Sequence, residues 1–252
     1  MSLNKINTKS ESYNNFIEEY YDDFAEAWDD RFQGTRASQY FFNKRLKKMK
    51  QFIGNDYRNI LDVGCGTGYN LLRIISEEKN GFGIDISEKM ILRAKKSLKE
   101  EFKKFQVEFN VGDGEKIDFP SDTFDRVIFT GYLGHIQNRK ESLIEIKRVL
   151  QPTGRLVALV TNSWSPWYWF GLRKVFNKDY GVLPKDLEFS PIQIKKLLKS
   201  SGYNNIKIQI FNSVPGSIPD YFYYPSVFLN ELLFNIYPIK LMGWHLLFSA
   251  EK

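Results

Sequence analysis

The sequence is poor in the residues that build covalent and metal scaffolds. It has one cysteine, Cys65, and two histidines, His135 and His245. A single thiol forms no internal disulfide framework and no cysteine-cluster zinc site, and two imidazoles leave little for a histidine centre, so no metal is expected. Long apolar runs are missing as well. The uncharged stretch 156–172 is interrupted by Thr161, Asn162, Ser163, Ser165 and Pro166 and does not read as a membrane span. No apolar run follows the first lysine, so no secretory leader is expected. Internal repeats and low-complexity tracts are absent too. Together these absences describe a soluble, cytoplasmic protein of a reduced compartment.

What is present is globular. The 252 residues are 42% hydrophobic and 26% charged, with a net charge of +6, which excludes wholesale disorder and allows one or two domains. Apolar residues from Ser12 through Phe16, Ile17, Tyr20, Tyr21, Phe24 and Trp28 repeat at helical spacing, and a second helix is predicted from Ser38 to Phe52, stopped by Gly54. Then the period changes. Asn59 to Val63 is a short apolar run ending in glycines, as a buried parallel strand requires. Strands are predicted at 81–86, 106–111, 125–129 and 155–161, with helices at 71–78, 87–99 and 138–150 between them. The last helix is expected to be stopped by Gln151-Pro152-Thr153-Gly154. Such alternation implies a parallel sheet with helices on both faces. Ser190-Pro191 starts a further helix that Gly202 ends, Ile206, Ile208 and Ile210 alternate as on an edge strand, and Trp244 to Ala250 is a final strand.

The chemistry is concentrated in Leu61-Asp62-Val63-Gly64-Cys65-Gly66-Thr67-Gly68. Glycines at 64, 66 and 68 let the turn approach a ligand closely, and the following helix offers free N–H groups to an anionic group. The dinucleotide fingerprint would place its third glycine one residue later. Asp85 ends the second strand, where a carboxylate can accept hydrogen bonds from ribose hydroxyls; its plainer use is as a helix cap, a role Ser87 already fills. Asp113-Gly114 follows the third strand, either as a plain turn or as a contact for adenine.

The ordered set 60–68, Gly83-Ile84-Asp85-Ile86-Ser87, Gly112-Asp113-Gly114, Phe124 to Ile128 and Val149 to Arg155 closely resembles the class I S-adenosylmethionine-dependent methyltransferases. Within them it looks most like the group containing ubiquinone and menaquinone C-methyltransferases and many small-molecule methylases. The match is good over 57–161, whereas 162–243 carries no recognisable pattern. The resemblance implies a Rossmann-like α/β fold: a seven-stranded, mostly parallel sheet with an antiparallel last strand, helices on both faces and an N-terminal helical lid. It divides the chain into a lid (1–56), a cofactor-binding core (57–161) and a C-terminal part (162–252) with aromatic insertions at 162–189 and 215–243. It also implies S-adenosylmethionine as cofactor, with Gly64, Gly66 and Gly68 at the methionine end and Asp62 ordering the loop or the amine. Asp85 would bind ribose, Asp113 and Gly114 adenine, and Thr130 and Gly131 would face the transferred methyl, with Cys65 and Ile86 completing the set. Tyr21 and Trp28, in Tyr21-Asp22-x-Phe24-Ala25-x-x-Trp28-Asp29, suit a lid whose aromatic faces attract a sulfonium; a core-facing stripe is the plainer reading.

His135 is the natural candidate for a base, with Tyr132 and Tyr20 behind it; packing against the following helix is the structural alternative for His135. Thr130-Gly131-Tyr132-Leu133 lacks the Asn/Asp-Pro-Pro-aromatic run of nucleic-acid amino-methylases, and Cys65 lies inside the glycine loop rather than where a cytosine nucleophile would sit. Lys44, Arg45, Lys47, Lys48 and Lys50, and a second group from Lys95 to Lys104, could follow an RNA backbone but read more simply as solvated helix faces. The aromatic residues Trp164, Trp167, Tyr168, Trp169 and Phe170, and the run from Tyr221 to Phe234, could roof an apolar acceptor cavity, meet a membrane surface peripherally or form a dimer face. The expected acceptor is therefore a small hydrophobic or amphipathic molecule, methylated at O, C or N, by a monomer or homodimer. An RNA-directed methyltransferase and a non-catalytic S-adenosylmethionine-binding protein are the alternatives.

Overall fold

The computed structural model describes residues 3–165, 188–211, 221, 223–233, 236–237 and 239–252. At its centre lies β1 (Asn59–Val63), a run with no charge but Asp62, buried along both faces. It pairs in parallel with β2 (Asn80–Asp85) on one side and β4 (Phe124–Thr130) on the other, so that Leu61 faces both Phe82 and Val127. β3 (Gln106–Val111) extends the sheet beyond β2, and β5 (Leu150–Thr161) beyond β4. β7 (His245–Glu251) then inserts antiparallel between β5 and β6 (Asn204–Phe211), giving the order β3-β2-β1-β4-β5-β7-β6. The strand order reverses between β1 and β4. An open α/β sheet leaves a crevice at that point, outside the carboxyl ends of its strands.

Helices cover both faces. On one, α3 (Arg36–Ile53), α4 (Tyr69–Ile74) and α5 (Glu88–Glu101) bury Leu46, Met49, Leu71 and Ile91. On the other, α6 (Arg139–Val149) and α7 (Pro191–Ser200) bury Leu143, Ile146, Ile194 and Leu198. Local signals act as read. Ser190 and Gln193 close a capping box with Pro191 at the first position, and the Ser87 hydroxyl accepts from the Met90 N–H. β6 is an edge strand, with Lys207 exposed and Ile206, Ile208 and Ile210 partly buried against the core.

Three elements differ from the sequence-based boundaries. The helix stops as expected, but residues 151–154 already belong to β5, which starts at Leu150 rather than at Arg155. The β4–β5 pairing shifts register between Phe124 and Arg126, and Pro152 and Thr153 remain exposed, so the Pro/Gly signal marks an irregular strand end. α4 stops at Ile74, because Ile75 turns to extended backbone and is itself buried. The first helix, α1 (Leu3–Phe24), starts before Ser12 and ends before Trp28; a turn and the one-turn α2 (Asp30–Gln33) follow.

Trp167, Tyr168, Trp169, Phe170, Phe222 and Phe234, and the side chains of Leu229 and Leu233, lie outside the described residues. Within them, α8 (Tyr223–Leu233) exposes Tyr224 and Phe228, and Trp164 is partly buried.

Candidate functional site

The loop after β1 bends back under β2: the Gly64 and Cys65 N–H groups both donate to the Ile84 carbonyl. Gly66 adopts φ +53° and donates its N–H to Asp85 Oδ2 at 2.8 Å. Gly68 caps α4 at φ +74°, and a Cβ there would stand 2.5 Å from the Phe109 ring. Gly64, Cys65 and Gly66 therefore line a cavity, while Gly68 turns toward the core beneath it.

Asp85, at the end of β2, also accepts from the Ser87 N–H at 3.0 Å. Burial pushes its carboxyl above the usual range, and the N–H groups of Ser87, Gly66 and Ile86 pull it back. Asp62 is fully buried behind the glycine loop, away from the cavity wall, and its Oδ2 has no hydrogen-bond partner among the described residues. Burial and the nearby Asp85 raise its carboxyl well above the ordinary value, against the opposing pull of Arg45. Asp113 follows β3 and accepts from the Glu115 N–H at 2.8 Å and from Asn14 Nδ2 at 3.3 Å. Asp85, Ile86, Asp113 and Gly114 all face the cavity.

The N-terminal segment closes over these loops by side-chain bonds. Tyr21 OH lies 3.1 Å from His135 Nε2, and the Tyr21 and Trp28 rings meet edge-on at 5.3 Å. Trp28 Nε1 stands 3.4 Å from where a Cβ on Gly66 would lie. Asp22 accepts from the Ser87 hydroxyl at 2.5 Å and from the Lys89 N–H at 3.2 Å, so its carboxylate sits at the start of α5. Asp29 accepts from the Thr67 hydroxyl at 2.6 Å. Asn14, Asp22 and Asp29 carried no assigned role in the sequence. Asp22 and Asp29 do flank the aromatic lid pattern, and that was their only signal.

Of the base candidates, His135 and Tyr132 line the cavity, whereas Tyr20 packs on Tyr21 and Phe24 outside it. Tyr132 is held from below: its hydroxyl is 2.9 Å from Ser142 Oγ, its ring fills the space under Gly64 and Gly114, and burial raises its pKa. A phenol kept neutral and already bonded serves as a support for the loop. The buried Cys65 thiol is likewise pushed up by burial and by Asp85, so it stays neutral.

The cavity is about 590 Å³, within the ordinary range for small-molecule sites. Thr130 and Gly131 lie at its middle, and Phe41, Val160, Thr161, Trp244 and His245 at the far end. Arg45 also faces it. The sequence placed this residue on a basic, solvated helix face, but it is only 7% exposed. It lies on the inward side of α3 between Phe42 and Met49, a 3–4 spacing that was the available signal. Its Nη2 donates to Asn70 Oδ1 at 2.8 Å, Nε has no partner among the described residues, and burial lowers its pKa to about 10. Among the described residues no cluster of three or more His, Cys, Asp or Glu could hold a metal ion.

This donor set fits a nucleoside bearing an amino acid. Asp85 and Asp113 suit hydroxyl and amine donors, the glycine cradle gives close approach, and Arg45 offers a buried cation for a carboxylate. Comparison with known proteins agrees. A family described as a methyltransferase domain matches residues 61–158. The demethylmenaquinone methyltransferase of Leptospira interrogans serovar copenhageni is 30% identical over 177 residues, 61% of this chain and 70% of that protein. The demethylmenaquinone methyltransferase of Lactococcus lactis is 37% identical over 123 residues, a match spanning 47% of each chain. Among solved structures, an S-adenosylmethionine-dependent methyltransferase of Thermotoga maritima, described as a possible histamine N-methyltransferase, superposes with a TM-score of 0.67 over 93% of this chain and 99% of that one, at 17% identity. That last likeness concerns the fold alone.

Proposed function

Because this chain belongs to the class I S-adenosylmethionine-dependent methyltransferases, in the group of the ubiquinone and menaquinone C-methyltransferases, we propose that its acceptor is an apolar hydroxylated aromatic molecule of the hydroquinone class. The observation that carries this reading is the far end of the cavity, where Phe41, Val160 and Trp244 form an apolar wall next to the cofactor-binding loops. S-adenosylmethionine supplies a methyl on a sulfonium and departs as a thioether. The work of the protein is then alignment in a dry pocket. Gly64 and Gly66 would hold the methionine end, with Arg45 on its carboxylate and Asp62 behind the loop; Asp85 would hold ribose, and Asp113 with Gly114 adenine. Thr130 and Gly131 would border the reacting methyl, and Tyr21 and Trp28 would close the site against water. The acceptor loses a proton overall, and His135, on the cavity wall and bonded to Tyr21, is the group placed to take it.

We assign residues 1–56 to the N-terminal lid, 57–161 to the cofactor-binding core and 162–252 to a C-terminal part of the same domain, with the insertions 162–189 and 215–243 on the acceptor side. With Arg45 turned inward, the basic stripe loses one of its members, and the RNA reading weakens with it. No helix among the described residues is long and apolar enough to cross a membrane. The test is methyl incorporation from labelled S-adenosylmethionine into detergent-solubilised 2-prenyl-1,4-naphthohydroquinones, related lipids and a panel of polar metabolites. Label in the hydroquinones is expected. Label confined to the polar metabolites overturns the reading.

A further inference from the structure

We propose that His245 is the specificity-determining residue of an acceptor subsite that recognises an aromatic hydroxyl; this rests on the acceptor class proposed above. His245 is the first residue of β7 and pairs with Thr161, the last residue of β5, so two central strands fix its position. It lines the cavity and is 7% exposed. Its Nδ1 is buried with no hydrogen-bond partner among the described residues. A buried polar atom left unpaired is costly, and a turn of the ring that brings it to the cavity lets a ligand supply the missing partner.

The surroundings define that ligand. The imidazole is ringed by Phe41 at 5.2 Å, Phe211 at 5.8 Å and Trp244 at 6.3 Å between centroids. Flat apolar surfaces of this kind accept an aromatic ring. Burial, and secondarily the Arg45 charge, keep the imidazole uncharged. A neutral imidazole has one N–H and one lone pair, so it suits a neutral hydroxyl, which can donate or accept, and it does not supply the charge a cationic amine seeks. His245 thus orients the acceptor ring and takes no proton.

The test measures affinity for a short-chain 2-prenyl-1,4-naphthohydroquinone and for its 1,4-dimethyl ether, in the presence of S-adenosylhomocysteine and under anaerobic conditions. The unaltered protein is expected to prefer the hydroquinone by about tenfold, the size of one well-made buried hydrogen bond. His245→Phe should erase that preference, and His245→Asn should restore part of it. S-adenosylhomocysteine affinity should stay within about twofold in both variants, which shows that they fold. A preference that survives in His245→Phe, or one that neither variant alters, overturns the subsite and leaves the acceptor class standing. If the unaltered protein binds S-adenosylhomocysteine but neither naphthalene compound, the acceptor class falls and the subsite falls with it.

Discussion

Asp85 lines the cavity, and the same carboxylate accepts from Gly66 and Ser87. Asp85→Asn removes the charge from those bonds, and charge-assisted hydrogen bonds are about twice as strong as neutral ones. S-adenosylhomocysteine affinity by calorimetry should fall by about tenfold or more. Arg45 gives a sharper contrast. Arg45→Met should weaken S-adenosylhomocysteine by about tenfold and leave 5′-methylthioadenosine, which lacks the amino acid, unchanged. Equal losses for both ligands would remove Arg45 from the carboxylate. His245 has its pKa lowered from 6.5 to about 3, so the unfolded chain binds a proton that the folded chain refuses. Its contribution to stability is whole above pH 6.5 and is lost as pH falls from there toward 3. Asp62 and Asp85, with raised values, act in the opposite sense, so the effect is read as a difference between proteins. The melting temperature of His245→Phe should fall less steeply between pH 6.5 and pH 4 than that of the unaltered protein.

At the scale of elements, the N-terminal segment is held by contacts that local propensity does not encode. Helical spacing alone carries a single helix through Trp28, yet α1 ends at Phe24, and the turn that follows brings Asp29 to Thr67 and Trp28 to Gly66. The Asp22 carboxylate bonds both Ser87 and the Lys89 N–H, which ties α1 to the start of α5. Asp22→Ala should therefore cost about 1 kcal/mol, as loss of a helix-terminal acceptor does. It should also speed amide exchange in residues 13–24 while β1 and β4 remain protected, as mass spectrometry would show. Uniform acceleration across the sheet would mean that the N-terminal segment does not open as a separate unit.

For the whole molecule, the site exists because the strand order reverses between β1 and β4, which opens the crevice that the loops after β1, β2, β3 and β4 surround. A ligand spanning those loops stabilises the entire sheet. S-adenosylmethionine or S-adenosylhomocysteine at a hundred times its Kd contributes about 2.7 kcal/mol. For a chain of this size that is roughly 5–10 °C in thermal unfolding, with no shift for NAD. An equal shift with NAD would contradict the cofactor assignment.

The central strands, the capped starts of α5 and α7 and the strand–glycine–helix unit around Gly64 were readable because each depends on neighbours within a few residues: apolar runs, a hydroxyl before a helix, glycines where a Cβ would clash. The cavity-facing positions of Asp85 and Asp113 were readable for the same reason, since strand ends place them. Other features were decided by distant parts of the chain. Gln151 to Gly154 run into β5 across a register shift against β4, Ile75 left its helix to be buried, and Arg45 turned inward with the apolar face of α3. His245 offered no pattern at all beside a tryptophan on a final strand. Its meaning comes from Thr161, Phe41 and Phe211, more than thirty residues away in every case, and from a desolvated wall that only the folded sheet creates. Sequence determines what is local and periodic; burial and charge at a site arise from surfaces that meet only when the chain has folded.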